Sequence, residues 1–253
     1  LVAGADGTVK LQDILVYGKG DWVSGEQRFS LRLQAEARKA GAGAASDAAK
    51  AIQVRNAYLT GPFPAAHAGY QALPAALQNE PSMLIARLIA ATRVWDEKDK
   101  PTDAETKEYG DAAAAYAKAC PDTPSANLFL ASFYNQTGKP EEALRYIAKA
   151  SEQLGGDASF KVSRAHALRQ MDKAGDAKKE LAAAIQQEPA LDSAYPRLIE
   201  LQVETGDLAG ALKTVQAADP LKAIDVDELM KTEGYDELVK SPAFQAWLKA
   251  RKK

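Results

Sequence analysis

Seven positions recur along the chain at an interval of 34 residues, each set mixing large apolar, small and turn-forming residues in one order. Leu130, Ala131, Tyr134, Gly138, Ala143, Ile147 and Ala150 map onto Arg164, Ala165, Leu168, Asp172, Ala177, Leu181 and Ala184. These in turn map onto Leu198, Ile199, Gln202, Gly206, Ala211, Val215 and Ala218. A fixed interval of this length marks a repeat architecture, in which one structural unit recurs and stacks on its neighbours. Regular repeats are thus expected at about 124–157, 158–191 and 192–222.

The pattern is looser elsewhere. Helices are expected over about 47–59, ending at Gly61-Pro62, and over about 64–72, perturbed by Pro74. Together these form a degenerate first repeat. The stretch 82–95 (SMLIARLIAATRVW) is apolar on nearly all sides, as for a helix held between neighbours. A polar loop and a helix running to about Cys120 complete a second, out-of-frame repeat. Downstream, Val226–Lys231 and Ser241–Arg251 read as short helices, the latter with a Ser N-cap and Pro at its first position, and they cap the last repeat. Upstream, Ser24 and Gln27 have capping-box spacing for a helix over about 25–40, which Gly41-Ala42-Gly43-Ala44 ends. Residues 8–17 (TVKLQDILVY) carry the strand signal of the chain. A lone strand must pair with a hairpin neighbour, another molecule or a preceding domain, and the last is the preferred reading. The organisation expected is therefore a β segment at 1–23, the remnant of an upstream domain, a helix and Ala/Gly linker at 24–45, repeats at 46–223 and capping helices at 224–253.

The seventh and eighth positions of each regular repeat hold Leu130 and Ala131, then Arg164 and Ala165. The eleventh holds Tyr134 and Leu168, the twentieth Ala143, Ala177 and Ala211, and Pro189 stands near a repeat end. In these residues the chain resembles the tetratricopeptide repeat family. The resemblance implies an all-α fold, a right-handed α-solenoid of about five helical hairpins plus C-terminal capping helices, with the short N-terminal β segment outside it. Arg164, Ile199 and Gln202 depart from the pattern, standing where a core Leu, a small residue and an apolar residue are usual. Gly69–Pro74 and Ser241–Trp247 are also similar to segments of uncharacterised bacterial repeat proteins, which suggests no activity.

What the resemblance implies about function is a non-catalytic scaffold that binds a protein or peptide in the groove lined by the first helix of each pair. Residues of those helices outside the packing positions are Ser132, Asn135 and Gln136, then His166, Arg169 and Gln170, then Arg197, Glu200 and Glu204. The candidate protein-binding residues are Asn135, Gln136, His166, Arg169, Gln170, Arg197, Glu200 and Glu204, with Arg169 and Arg197 as anchors because a guanidinium bonds bidentately. Some family members clamp a peptide carboxylate with Lys and Asn on successive first helices. The equivalent positions here are Leu128 and Ser132, Val162 and His166, Pro196 and Glu200, so that clamp is missing and a segment of mixed polarity is expected. The alternative reading is the helical C-terminal part of a larger enzyme or secreted factor whose active domain precedes Leu1.

Composition narrows the partners. With 253 residues, 46% of them hydrophobic, the chain can bury a sizeable core. A net charge of -2, from 32 basic and 34 acidic residues, offers no global field for nucleic acid or an anionic membrane. No apolar run is long enough to span a bilayer. The chain opens on Leu1, so removal of a signal peptide or upstream domain is expected, and cytoplasmic and periplasmic or exported locations both fit. Self-association through the N-terminal strand is a further expectation.

Chemistry finds little footing. His67 and His166 lie on different repeats without metal-ligand spacing, and Cys120 is the single cysteine, so neither a disulfide nor a cysteine metal cluster can form within the chain. Glu141 and Glu142, and Asp225, Asp227 and Glu228, begin helices, where they complement the dipole. Neither a phosphate loop nor a GxSxG elbow is present, so no cofactor, metal or catalytic residue is expected. Asn135-Gln136-Thr137 matches a glycosylation triplet but falls inside a regular repeat.

Overall fold

The computed structural model describes Val2–Ala3, Val9–Lys10, Leu15–Val16, Asp21–Trp22, Arg32, Ala35, residues 46–98 and residues 100–251. Of the β segment expected at 1–23, these residues hold four two-residue pieces. Val2 and Ala3 pair antiparallel with Lys10 and Val9, and Leu15 and Val16 with Trp22 and Asp21. Two-residue ladders cannot build a core, and they do not support a β segment as part of the fold, which is all-helical. The helix expected over 25–40 lies outside the described residues except for Arg32 and Ala35, both helical.

The helices are α1 (Asp47–Thr60), α2 (Phe63–Gln71), α3 (Ala75–Gln78), α4 (Pro81–Asp96), α5 (Asp103–Ala119), α6 (Pro124–Gln136), α7 (Pro140–Leu154), α8 (Ala158–Gln170), α9 (Ala174–Gln187), α10 (Ala194–Glu204), α11 (Leu208–Ala218), α12 (Val226–Leu229), α13 (Asp236–Lys240) and α14 (Pro242–Arg251). The chain divides into two compact units, Leu1–Phe133 and Tyr134–Lys253, and the boundary falls inside α6.

In the first unit α1 packs against α2 and α4, and α4 against α5. Thr102 and Glu105 form a full capping box at the start of α5. The end of α1 is closed differently: the Arg93 guanidinium donates to the carbonyls of Tyr58, Leu59 and Gly61 at 3.3, 3.1 and 3.1 Å. One cation thereby satisfies carbonyls that a helix end leaves without intrahelical partners. A polar cluster lies among these helices. Arg87 donates bidentately to Glu108 at 2.7 and 2.8 Å, and its guanidinium sits 5.1 Å from the Tyr70 ring centre. His67 stands 3.5 Å from Glu108 and is hydrogen-bonded to the Tyr58 hydroxyl at 3.1 Å. Burial pushes the Tyr58 hydroxyl well above the usual phenol range. His67, read from the sequence as structural or surface, is thus a bridge between α1, α2 and α5.

The second unit shows why the 34-residue interval matters. Helices α8 and α9 form one hairpin, α10 and α11 the next, and α9 packs against α10. Ala143, Ala177 and Ala211 are fully buried, as are Ala150, Ala184 and Ala218. Ala165, Ala177, Leu181, Leu198 and Leu201 share one core cluster. The turn position repeats in conformation as well as in sequence: Gly138, Asp172 and Gly206 have φ of 69°, 58° and 73°. Glycine enters this left-handed region freely, whereas Asp172 has a Cβ and adopts the same turn at the cost of strain.

Each departure from the repeat pattern has a local compensation. Arg164 forms an ion pair with Glu180 across the α8–α9 hairpin, at 3.2 and 3.1 Å. Gln202 accepts a hydrogen bond from Thr214 at 2.9 Å. Ile199 is fully buried against Phe244, Leu238 and Val226, so a large residue replaces a small one where the last hairpin meets α12–α14 instead of another repeat. The helix α13 was not expected from the sequence; five residues carry too little periodicity to reveal it.

Candidate functional site

Helices α8 and α10 are the first helices of consecutive hairpins, and they carry most of the predicted binding residues. His166, Arg169, Arg197 and Glu200 line one cavity of about 270 Å³, floored by Ala165, Leu181 and Leu201. In sequence these residues are separated by up to a full repeat. The apolar floor comes from the repeat core, while the polar walls come from positions that packing leaves free.

The charges on these walls are unevenly committed. Arg169 donates from one nitrogen to Glu200 at 2.9 Å and to Glu204 at 2.5 Å. Glu200 and Glu204 lie one helical turn apart on α10, so both carboxylates reach the same guanidinium. All three side chains are about two-fifths exposed, which limits what the network adds to stability to roughly 0–1 kcal/mol per pair. Arg197 makes a different bond: its Nη1 donates to the Ser193 carbonyl at 2.8 Å, a contact at the start of its own helix. The Arg197 guanidinium is thus positioned without an ion pair to a carboxylate among the described residues.

His166 lines the same cavity as both arginines. Burial holds its imidazole below the usual histidine range, and the Arg197 charge lowers it further. Its Nε2 lies 2.7 Å from the Gln170 amide nitrogen, and a hydrogen bond to the Asn135 backbone carbonyl acts in the opposite direction, favouring the charged ring. The same Gln170 amide donates to the Asn135 carbonyl at 2.6 Å. Gln170 therefore fixes the His166 ring from one side.

Asn135 differs from what the sequence led us to expect. It is buried, not free on a groove wall, and its Nδ2 donates to the Ser163 carbonyl at 3.3 Å. Its role is to tie the end of α6 to α8. That burial also removes the basis for reading Asn135-Gln136-Thr137 as a glycosylation triplet. Gln136 is exposed beside it but does not line the cavity, and neither does Gln170 or Glu204. Tyr235 was missed by sequence reading. Burial raises its hydroxyl above the usual phenol range, and the charges of Glu200, Glu204 and Arg169 also act on it. It follows Gly234 in an irregular stretch, where no helical period signals a packed side chain.

Nothing among the described residues gathers three or more His, Cys, Asp or Glu into a metal-holding group. No described helix is long and apolar enough to cross a membrane.

No protein-family model matches this sequence, and no curated protein sequence matches it. Solved structures do match its fold. Residues 41 to the end of MamA from Desulfovibrio magneticus RS-1 align with a TM-score of 0.57 at 15% identity, covering 68% of this chain and 95% of that one. PilW, described as a widely conserved type IV pilus biogenesis factor, aligns with a TM-score of 0.58 at 13% identity over 82% of this chain and 94% of that one. At such identities the likeness concerns fold. The chain has a tetratricopeptide-like helical repeat fold.

Proposed function

We propose that the chain is a non-catalytic scaffold that holds a protein or peptide segment against the face formed by α8 and α10. The observation that carries this reading is the convergence of His166, Arg169, Arg197 and Glu200, from helices one repeat apart, on a single cavity with an apolar floor. Such a cavity suits a side chain with an apolar stem and a charged end. Arg169 is already balanced by Glu200 and Glu204, so it frames the site. Arg197 is the cation available to a ligand, and His166 next to it becomes a second when protonated. The segment is therefore expected to present a carboxylate to Arg197. This narrows the two-arginine anchor inferred from the sequence to Arg197.

The test is a selection of displayed random peptides on the full chain, followed by affinity measurement of the selected sequences. Arg197→Ala combined with His166→Ala is expected to weaken them at least tenfold while leaving the helical circular dichroism intact. Selected peptides without an acidic residue, or binding indifferent to that double variant, would remove the reading.

A further inference from the structure

A second cavity, of about 310 Å³, opens beside α10 toward the C-terminal segment. Ile199, Ile224, Leu229 and Tyr235 wall it, and Asp225 and Glu228 stand among its polar lining residues. Its setting is acidic. Residues 219–237 contain seven carboxylates (Asp219, Asp225, Asp227, Glu228, Glu233, Asp236 and Glu237) against two lysines, Lys222 and Lys231. Arg251 pairs with Asp219 and Lys240 with Asp236. The other five carboxylates form no salt bridge among the described residues. Leu221, in the turn just before the cavity-lining Ala223, is 51% exposed and is the large apolar side chain most open to solvent among the described residues.

Apolar walls and an acidic rim, offset only in part by the Arg251 charge that acts on Asp219, Asp227 and Asp225, are complementary to one kind of occupant. We propose that this cavity docks a partner segment carrying a bulky apolar side chain, Leu, Ile or Phe, flanked by Lys or Arg. The apolar side chain displaces water from the walls, and Leu221 extends the apolar contact outside the cavity. The flanking cations meet the field of Asp225, Asp227 and Glu228, which speeds encounter and excludes acidic competitors. This goes beyond the α8–α10 reading: the two cavities share no lining residue, and either can fail alone.

The experiment uses the full chain and three fluorescein-labelled peptides in low salt: Lys-Lys-Leu-Phe-Lys-Lys, Lys-Lys-Ala-Ala-Lys-Lys and Glu-Glu-Leu-Phe-Glu-Glu. Anisotropy is expected to show the first binding at least tenfold more tightly than either of the others. Glu228→Lys, at an exposed position, is expected to weaken it at least fivefold. Ala223→Phe, which fills the cavity, is expected to abolish binding, and Arg197→Ala to leave it unchanged. No binding of the first peptide, equal binding of the acidic or Ala-Ala peptide, or indifference to Glu228→Lys would overturn the proposal. So would concentration-dependent self-association in sedimentation velocity that Ala223→Phe removes, because a second copy would then be the occupant.

Discussion

Replacing Ala177 with leucine probes the repeat register at its tightest point. Ala177 is fully buried in the cluster that contains Ala165, Leu181 and Ala184, and α8 and α9 are the most closely associated helices of the second unit. Leucine adds three carbons where the neighbours are themselves buried. The nearby cavity gives no relief, since Ala165 and Leu181 line it but Ala177 does not. Helix propensity barely changes between Ala and Leu, so overpacking decides the outcome. The expected cost is about 1–3 kcal/mol. For a chain of this size each kcal/mol lowers the melting temperature by roughly 2–4 °C, giving a fall of about 2–12 °C by differential scanning calorimetry. Ala182→Leu is the control: it lies on the same helix but is exposed, and it should stay within about 0.5 kcal/mol of the parent. Equal melting temperatures for the two variants would show that Ala177 is not at a helix crossing, and the register argued from the 34-residue interval would fall with it.

Three further outcomes are expected. Asp172→Gly should stabilise by about 0.5–1 kcal/mol in urea unfolding, because the left-handed turn at φ 58° costs a residue with a Cβ more than it costs glycine; a loss of stability would mean the Asp172 side chain holds the turn. Arg87→Ala should cost about 3 kcal/mol by the same assay, the low end for a broken buried pair since His67 also faces Glu108, and the apolar pair Arg87→Met with Glu108→Leu should recover most of it. The third concerns pH. The folded His166 value lies below the unfolded one, so the unfolded chain binds more protons near and below about pH 6.5. The His166 contribution is complete above that pH and is lost as pH falls through the folded value. The drop in melting temperature between about pH 7.5 and 5.5 should accordingly be smaller in His166→Gln than in the parent. A carboxylate ligand reverses the local sign by favouring the charged ring, so its affinity should rise as pH falls toward about 6. Affinity that falls instead would place the carboxylate away from His166.

The repeat core was legible because packing at a helix crossing admits few residue types, and those few returned every 34 residues. Ala143, Ala177 and Ala211 could be picked out for that reason, and so could the turn at Gly138, Asp172 and Gly206. The polar contacts were harder to foresee, because polarity tells which residues avoid the core but not what they meet. One signal was nevertheless present. Arg169 bonds residues 31 and 35 positions ahead, and Gln170 bonds a carbonyl 35 positions behind. Side chains about one repeat apart are lateral neighbours in stacked hairpins, so the pairing of Arg169 with Glu200 and Glu204 was open to the same arithmetic that found the core. Asn135 escaped because burial at a helix end depends on the next hairpin, not on its own helical face. Tyr235 and α13 escaped because the stretch that holds them has no period to read.

Whether a partner lies against the α8–α10 face is decided by photo-crosslinking. A benzoylphenylalanine placed at Gln136, exposed on α6 next to Asn135, which is hydrogen-bonded to Ser163 and Gln170 of α8, is compared in the native organism with one at Lys179, exposed on α9, which contributes only Leu181 to the cavity floor. A discrete crosslinked protein is expected from position 136 that disappears when Arg197→Ala and His166→Ala are added, and none from position 179. A crosslink from position 179 alone, or one from position 136 that survives both substitutions, would contradict the α8–α10 reading.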